Sequence, residues 1–186
     1  MKTGAAYFDS RNPRHAREDL EDMAAHHCTF VVHTFSEFDL YFYSAAMKEI
    51  VAMSHDLGME VYVNPWGLGK VFGGIEPFSR FVAEHPEECQ RMSDGSHAPA
   101  ACMHSGLFRS LMRLWVDAAA DLGADVVFWD EPHFHYDLGS LLGGATAAPW
   151  ACSCGRCAEP GRKSSRMRQM VRTTARLLRS QLPPTL

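Results

Sequence analysis

The sequence predicts an α/β fold of parallel β/α units, and three observations carry that reading. Short runs rich in apolar and β-branched residues alternate with helical segments along most of the chain. Each run ends in a polar residue or a proline. The run Ala124 to Trp129 follows a helix-ending Leu122-Gly123 and closes on two adjacent carboxylates and a proline, Asp130-Glu131-Pro132. Such runs, joined by helical crossovers, describe a parallel sheet covered by helices.

Gly4 to Phe8 is a first short strand delivering Asp9, and Arg14 to His26 follows as a helix with acidic residues outward. Thr29 to His33 is a second strand, rich in the residue types that pleated surfaces favour, and its loop, Thr34 to Asp39, leads to a helix from Tyr43 to Leu57 with Gly58 as C-cap. Glu60 to Asn64 is the third strand, ended by Pro65, which has no ladder donor. From Trp66 to Ser105 runs a long excursion with a short helix at Pro77 to Glu84 and a turn at Ser93-Asp94-Gly95. Long loops in compact domains usually serve function. The helix Gly106 to Leu122 feeds the fourth strand, Ala124 to Trp129. Pattern alone leaves an open sheet and a closed barrel both available. No Gly-x-Gly-x-x-Gly follows the first strand, which removes the commonest reason to prefer a nucleotide-binding sheet.

At 186 residues, 46% hydrophobic, the chain is expected to form a single domain over 1–186, with a metal-binding loop at 150–158 and a basic helix at 164–182. The formal net charge of −4 supplies no general attraction for nucleic acid, and the basic helix is expected to be a solvated face. No run is long enough for a membrane span, and the N-terminus lacks a signal peptide's pattern, so the expected compartment is the cytoplasm. The six cysteines are then read as thiols or metal ligands rather than disulfides.

In α/β folds the C-terminal ends of strands carry the chemistry. Neighbouring residues on an extended strand point opposite ways, so Glu131 is assigned the catalytic role and Asp130 a supporting one. The plainer alternative is that Asp130 caps the next segment and Glu131 is a solvated loop residue. Other strand-end candidates for substrate contact are Asp9, His33, Asn64, Trp66, Trp129 and His133. The two tryptophans are offered as aromatic walls for a sugar ring, or else as core. Cys152-Ser-Cys154-Gly-Arg-Cys157 places three thiols in six residues, a spacing that lets a loop wrap one soft ion. The fourth ligand a structural zinc needs is sought in Cys102, with His133 and His135 as substitutes. Cys28 and Cys89 stand alone and are read as core and loop packing.

Between His85 and Cys157 these pieces resemble glycoside hydrolases of the (β/α)8 clan whose fourth strand ends in Asn-Glu, most closely the zinc-containing family 42 β-galactosidases. The stretch His85-Pro86-Glu87, the Asp94-Gly95 turn, Cys102 ahead of a helix, the strand-end Asp130-Glu131 and the Cys-x-Cys-x-x-Cys occur in that family's order. The resemblance implies a half TIM barrel of glycoside hydrolase type, a carbohydrate substrate, and hydrolysis of an O-glycosidic bond with Glu131 as general acid/base. It puts Asp130 where the family has the asparagine that holds the sugar's 2-hydroxyl, and makes Cys102, Cys152, Cys154 and Cys157 a structural zinc site. A closed barrel takes about 250 residues and eight strands, whereas this sequence supplies four. The second carboxylate is expected from Asp9, Glu37, a homo-oligomeric partner or a complementing C-terminal half. A non-catalytic, zinc-stabilised carbohydrate-binding or interaction module is the rival expectation.

Overall fold

The computed structural model describes residues 1–8, 10–73, 78–135 and 149–158. In chain order the elements are β1 (Gly4–Tyr7), α1 (Pro13–Ala25), β2 (Phe30–Thr34), α2 (Ser44–Asp56), β3 (Glu60–Asn64), α3 (Arg80–Glu84), β4 (Cys89–Arg91), β5 (His97–Ala101), α4 (Gly106–Asp121), β6 (Val126–Val127) and α5 (Gly155–Ala158). β1, β2, β3 and β6 form one parallel sheet in that order. β4 and β5 form a separate antiparallel hairpin.

Local chemistry sets the helix boundaries. Asn12 caps α1, its side chain accepting from the Arg14 N–H at 3.1 Å, and Pro13 opens the first turn where no donor is needed. Ser79 and Ser105 cap α3 and α4, accepting from Val82 and Phe108. α4 buries Phe108, Leu111, Met112, Trp115, Val116 and Ala119, a three- and four-residue spacing that lays one face on the core. The helix expected from Tyr43 begins with a π-helical turn over Asp39–Tyr43 before α2 proper.

Alternation divides the sheet into two faces. Val31, Val61 and Val63 point to the helices and are buried with Leu20, Met47 and Ile50. Ala6, Val32, Tyr62 and Val126 align across the sheet on the other face and stay half-buried or exposed. On that face Phe30 packs on Tyr62, ring centroids 5.2 Å apart, and over Gly4, where a Cβ would stand 2.5 Å from the ring. A parallel sheet with helices on one face is the arrangement of a barrel wall seen in part.

Two expectations change. The fourth strand is shorter than its apolar run. The N–H groups of Asp125 and Phe128 donate to Val61 and Val63, but only Val126–Val127 form regular strand, at the sheet's edge. The long excursion contains the β4–β5 hairpin, whose tip is the expected Ser93-Asp94-Gly95 turn, with Gly95 at φ 88°. Cys89 accordingly lies buried in a strand rather than in loop packing, while Cys28 packs against the core as expected. The basic helix 164–182 lies outside the described residues.

Candidate functional site

The strand-end carboxylates are presented by the edge strand β6 and braced by the loop that follows β3. Gly73 N–H donates to the Asp130 carbonyl at 3.0 Å, and His133 N–H donates to the Val71 carbonyl at 2.9 Å. Between these two bonds Glu131 adopts φ 40°. Left-handed backbone is uncommon outside glycine and persists only where its surroundings enforce it. His133 Nδ1 donates to the Glu131 carbonyl at 2.8 Å. Asp130 is half-buried against Gly73, and Glu131 is exposed. Flanking Trp129 and Pro132 predict a desolvated setting for Glu131. Its side chain is instead open to solvent, because Trp129 turns back into the core, packing on Phe72 at 5.1 Å and Trp115 at 5.6 Å between centroids.

The other candidates separate into reachable and buried. Trp66 is half-buried and lies on Phe8 at 4.8 Å between centroids. His33 is 0% exposed and turned toward α2, its Nε2 at 3.0 Å from Ser54 Oγ, so it offers no surface to a ligand. Burial, and then the Arg11 charge, hold its pKa down to about 4. Asn64 is 1% exposed, and neither atom of its amide has a hydrogen-bond partner among the described residues. Asp9 lies outside the described residues. Glu37, offered from sequence as a second carboxylate, is 2% exposed and accepts from Ser79 Oγ and Phe81 N, both at 2.7 Å. Its oxygens fasten the start of α3, which is a structural task.

A second site lies beyond the hairpin. The sulfurs of Cys102, Cys152, Cys154 and Cys157 all fall within 4.8 Å of one another and all four residues are buried. Cys102 Sγ stands 3.6 Å from both Cys154 Sγ and Cys157 Sγ. Four thiolates tetrahedrally bound to zinc at about 2.3 Å would be about 3.8 Å apart, so the donor set fits such an ion. Electrostatics point the same way. The neighbouring Cys102 thiol draws Cys152 down to about 4, and Cys102 is raised by Cys152 and then by burial. Cys157 is pushed up to about 12, by burial and then by the Cys152 charge. Four sulfurs in so apolar a place cannot all ionise without a cation to compensate them.

His104 Nδ1 lies 3.1 Å from Cys157 Sγ, and the Arg91 N–H donates to Cys152 Sγ at 3.4 Å. A cleft of about 120 Å³ beside the sulfurs is lined by His104, Phe134 and Trp150. His135 is not among the residues whose ligand atoms converge there, and its backbone N–H donates to Gln90 Oε1 at 2.9 Å. Gln90 itself, 0% exposed, had no signal in the sequence beyond a lone amide amid charged residues. Among the described residues no helix is long and apolar enough to cross a membrane.

No protein-family model matches this chain, and none of the curated proteins matches it in sequence. Solved structures do. A β-N-acetylhexosaminidase aligns over 96% of this chain and 44% of its own, at 13% identity and a TM-score of 0.56. The α-galactosidase from Lactobacillus brevis aligns over 72% of this chain and 22% of its own, at 10% identity and a TM-score of 0.50. The chain therefore spans less than half the length of either neighbour. At such identities the likeness concerns the fold: this chain is an α/β protein with a parallel sheet, similar to the TIM-barrel folds of glycoside hydrolases.

Proposed function

We propose that the chain carries the acid/base side of a glycosidase active site. The observation that supports this most is the exposed Glu131, in enforced left-handed backbone at the C-terminal end of a sheet similar to those of glycoside hydrolases. In this reading Glu131 protonates the departing glycosidic oxygen, and Asp130 accepts from a sugar hydroxyl. Trp66, on its Phe8 neighbour, supplies an apolar wall for a sugar ring, and His133 holds the Glu131 carbonyl. Retaining hydrolysis needs a second carboxylate about 5 Å from the first. With Glu37 engaged in α3, that group belongs to Asp9, to a further part of the barrel, or to a second copy of the chain. Zinc held by Cys102, Cys152, Cys154 and Cys157 would act structurally, clamping the loop around it, which agrees with the family 42 pattern.

A screen of nitrophenyl glycosides tests the proposal. Glu131→Gln should lower the rate by about two orders of magnitude or more, as loss of a general acid does. Asp130→Asn should be milder, since an amide occupies that place in the family the sequence resembles. Equal rates for Glu131→Gln and the unaltered chain dismiss the role. The engagement of Glu37 favours one rival, a zinc-stabilised carbohydrate-binding module. Sugar affinity without turnover, in the chain together with any complementing half, would select it.

A further inference from the structure

The two sites are joined by one buried side chain. Gln90 stands in the middle of β4 with both ends of its amide engaged. Nε2 donates to the Ala101 carbonyl at 2.9 Å, and Oε1 accepts the His135 N–H at 2.9 Å. Ala101 immediately precedes the cluster ligand Cys102, and His135 lies five residues after Asp130. The backbone of the hairpin is stitched to the cluster residues on its other side. Cys102 N–H donates to the Glu88 carbonyl at 2.9 Å, Arg91 N–H to Cys152 Sγ, and Ser153 N–H to the Arg91 carbonyl at 2.8 Å.

We infer that Gln90 is a positioning residue that transmits the metal state of the thiol cluster to the Asp130–His135 segment. A metal ion that gathers the four sulfurs fixes Cys102 and Cys152, and with them the register of β4 between its neighbours. The Gln90 amide is then held where His135 needs an acceptor. Without the ion nothing gathers the four sulfurs, that register is no longer fixed from the cluster side, and the His135 N–H loses a fixed partner. Glu131 is sensitive to this because its left-handed backbone lies between Gly73 and Val71 on one side and the His133–His135 stretch on the other. Burying an amide costs least when both ends are bonded, as they are in Gln90, so Gln90 provides a geometry that a core methionine of similar size would not. The coupling rests on the functional reading for the metal at the thiol cluster, whose binding the protection of 150–158 reads separately, and for what Glu131 does chemically.

Hydrogen exchange on the full chain tests it, with the protein stripped by chelator or loaded with one equivalent of Zn²⁺. In the unaltered chain, loading should slow exchange across residues 128–135 by about fivefold, the factor one intramolecular hydrogen bond contributes. In Gln90→Met the segment should exchange fast in both states, while 150–158 still gains protection on loading. A structural role alone would not remove the dependence on metal while leaving the cluster responsive. If Gln90→Met does not fold, the His135 amide resonance of the unaltered chain, followed during Zn²⁺ titration, carries the test and should shift in step with loading. The inference is overturned if loading leaves both 128–135 and that resonance unchanged, or if Gln90→Met keeps the full metal-dependent protection. No glycoside enters this measurement. A chain inert toward every glycoside would sink the hydrolase reading and leave the coupling standing, whereas an active Glu131 with metal-independent exchange would sink the coupling alone.

Discussion

Gly73 and Asp130 are in contact twice: the Gly73 N–H donates to the Asp130 carbonyl, and a Cβ on Gly73 would stand 3.0 Å from Asp130 Oδ2. Glycine here leaves room for the carboxylate to lie against the loop after β3. Gly73→Ala should move Asp130 by a few tenths of an ångström while the fold survives, because the obstructing atom ends a rotatable side chain. The expected result is a loss of sugar affinity or hydrolysis with a melting temperature close to that of the unaltered chain. A crystal structure of the variant with Asp130 unmoved would refute this.

Metal at the thiol cluster should bind only the folded chain. Elemental analysis of protein purified without chelator should find about one zinc per chain, as a four-thiolate site holds one ion. At free zinc one hundred times the dissociation constant, binding stabilises by about 2.7 kcal/mol. Cys154→Ser and chelation should each lower the melting temperature, and their effects should not add. Full additivity would mean that Cys154 is not a ligand.

His33 should make stability fall in mild acid. Its folded value of about 4 lies below the ordinary 6.5, so between those values the unfolded chain binds the extra proton. The stabilisation is therefore complete above about pH 6.5 and is lost as the pH falls toward 4. Over that window the change should be about 3 kcal/mol. Urea unfolding at several pH values reads it, and His33→Gln should flatten the dependence. An unaltered slope in the variant would assign the acid sensitivity elsewhere.

Glu37 is expected to matter to stability rather than to chemistry. Glu37→Ala leaves the Phe81 N–H and Ser79 without their acceptor in a buried place. The loss should be about 3 kcal/mol, typical of hydrogen bonds to a charged group. Glu37→Gln keeps one acceptor and should lose less. Normal stability together with abolished hydrolysis would reverse the assignment and restore Glu37 as the second carboxylate.

The β/α alternation was legible because helical crossovers impose long, regular spacing on β-branched runs, and Glu60 to Asn64 is the strand predicted. The thiol cluster was legible because three thiols in six residues have few structural uses, and Cys102, in the long loop before α4, was the fourth ligand sought, a choice the resemblance to family 42 also implies. The hairpin was not, although its turn was. Ala98-Pro99-Ala100-Ala101 lacks the β-branched residues that signal strands, and its pairing comes from the packing of Cys89 and Gln90 instead. Glu131 was read as desolvated, whereas its side chain is exposed. Sequence shows that Trp129 is adjacent but cannot show that its ring turns inward onto Trp115.

The spacing of the four sulfurs along the chain also dictates an order of assembly. Gly4 meets Phe30 and Phe30 meets Glu60 by closing loops of comparable length, whereas Tyr62 must reach Val126 and Cys102 must reach Cys154 across much longer stretches. Closure entropy grows with loop length, so β1 to β3 with their helices should collect first, and β6 and the sulfurs should find their places later. An ion captured at that late stage adds interactions absent from the folding barrier. It should therefore leave the refolding rate nearly unchanged and act almost wholly by slowing unfolding, making the cluster a latch on the finished structure rather than a seed for it.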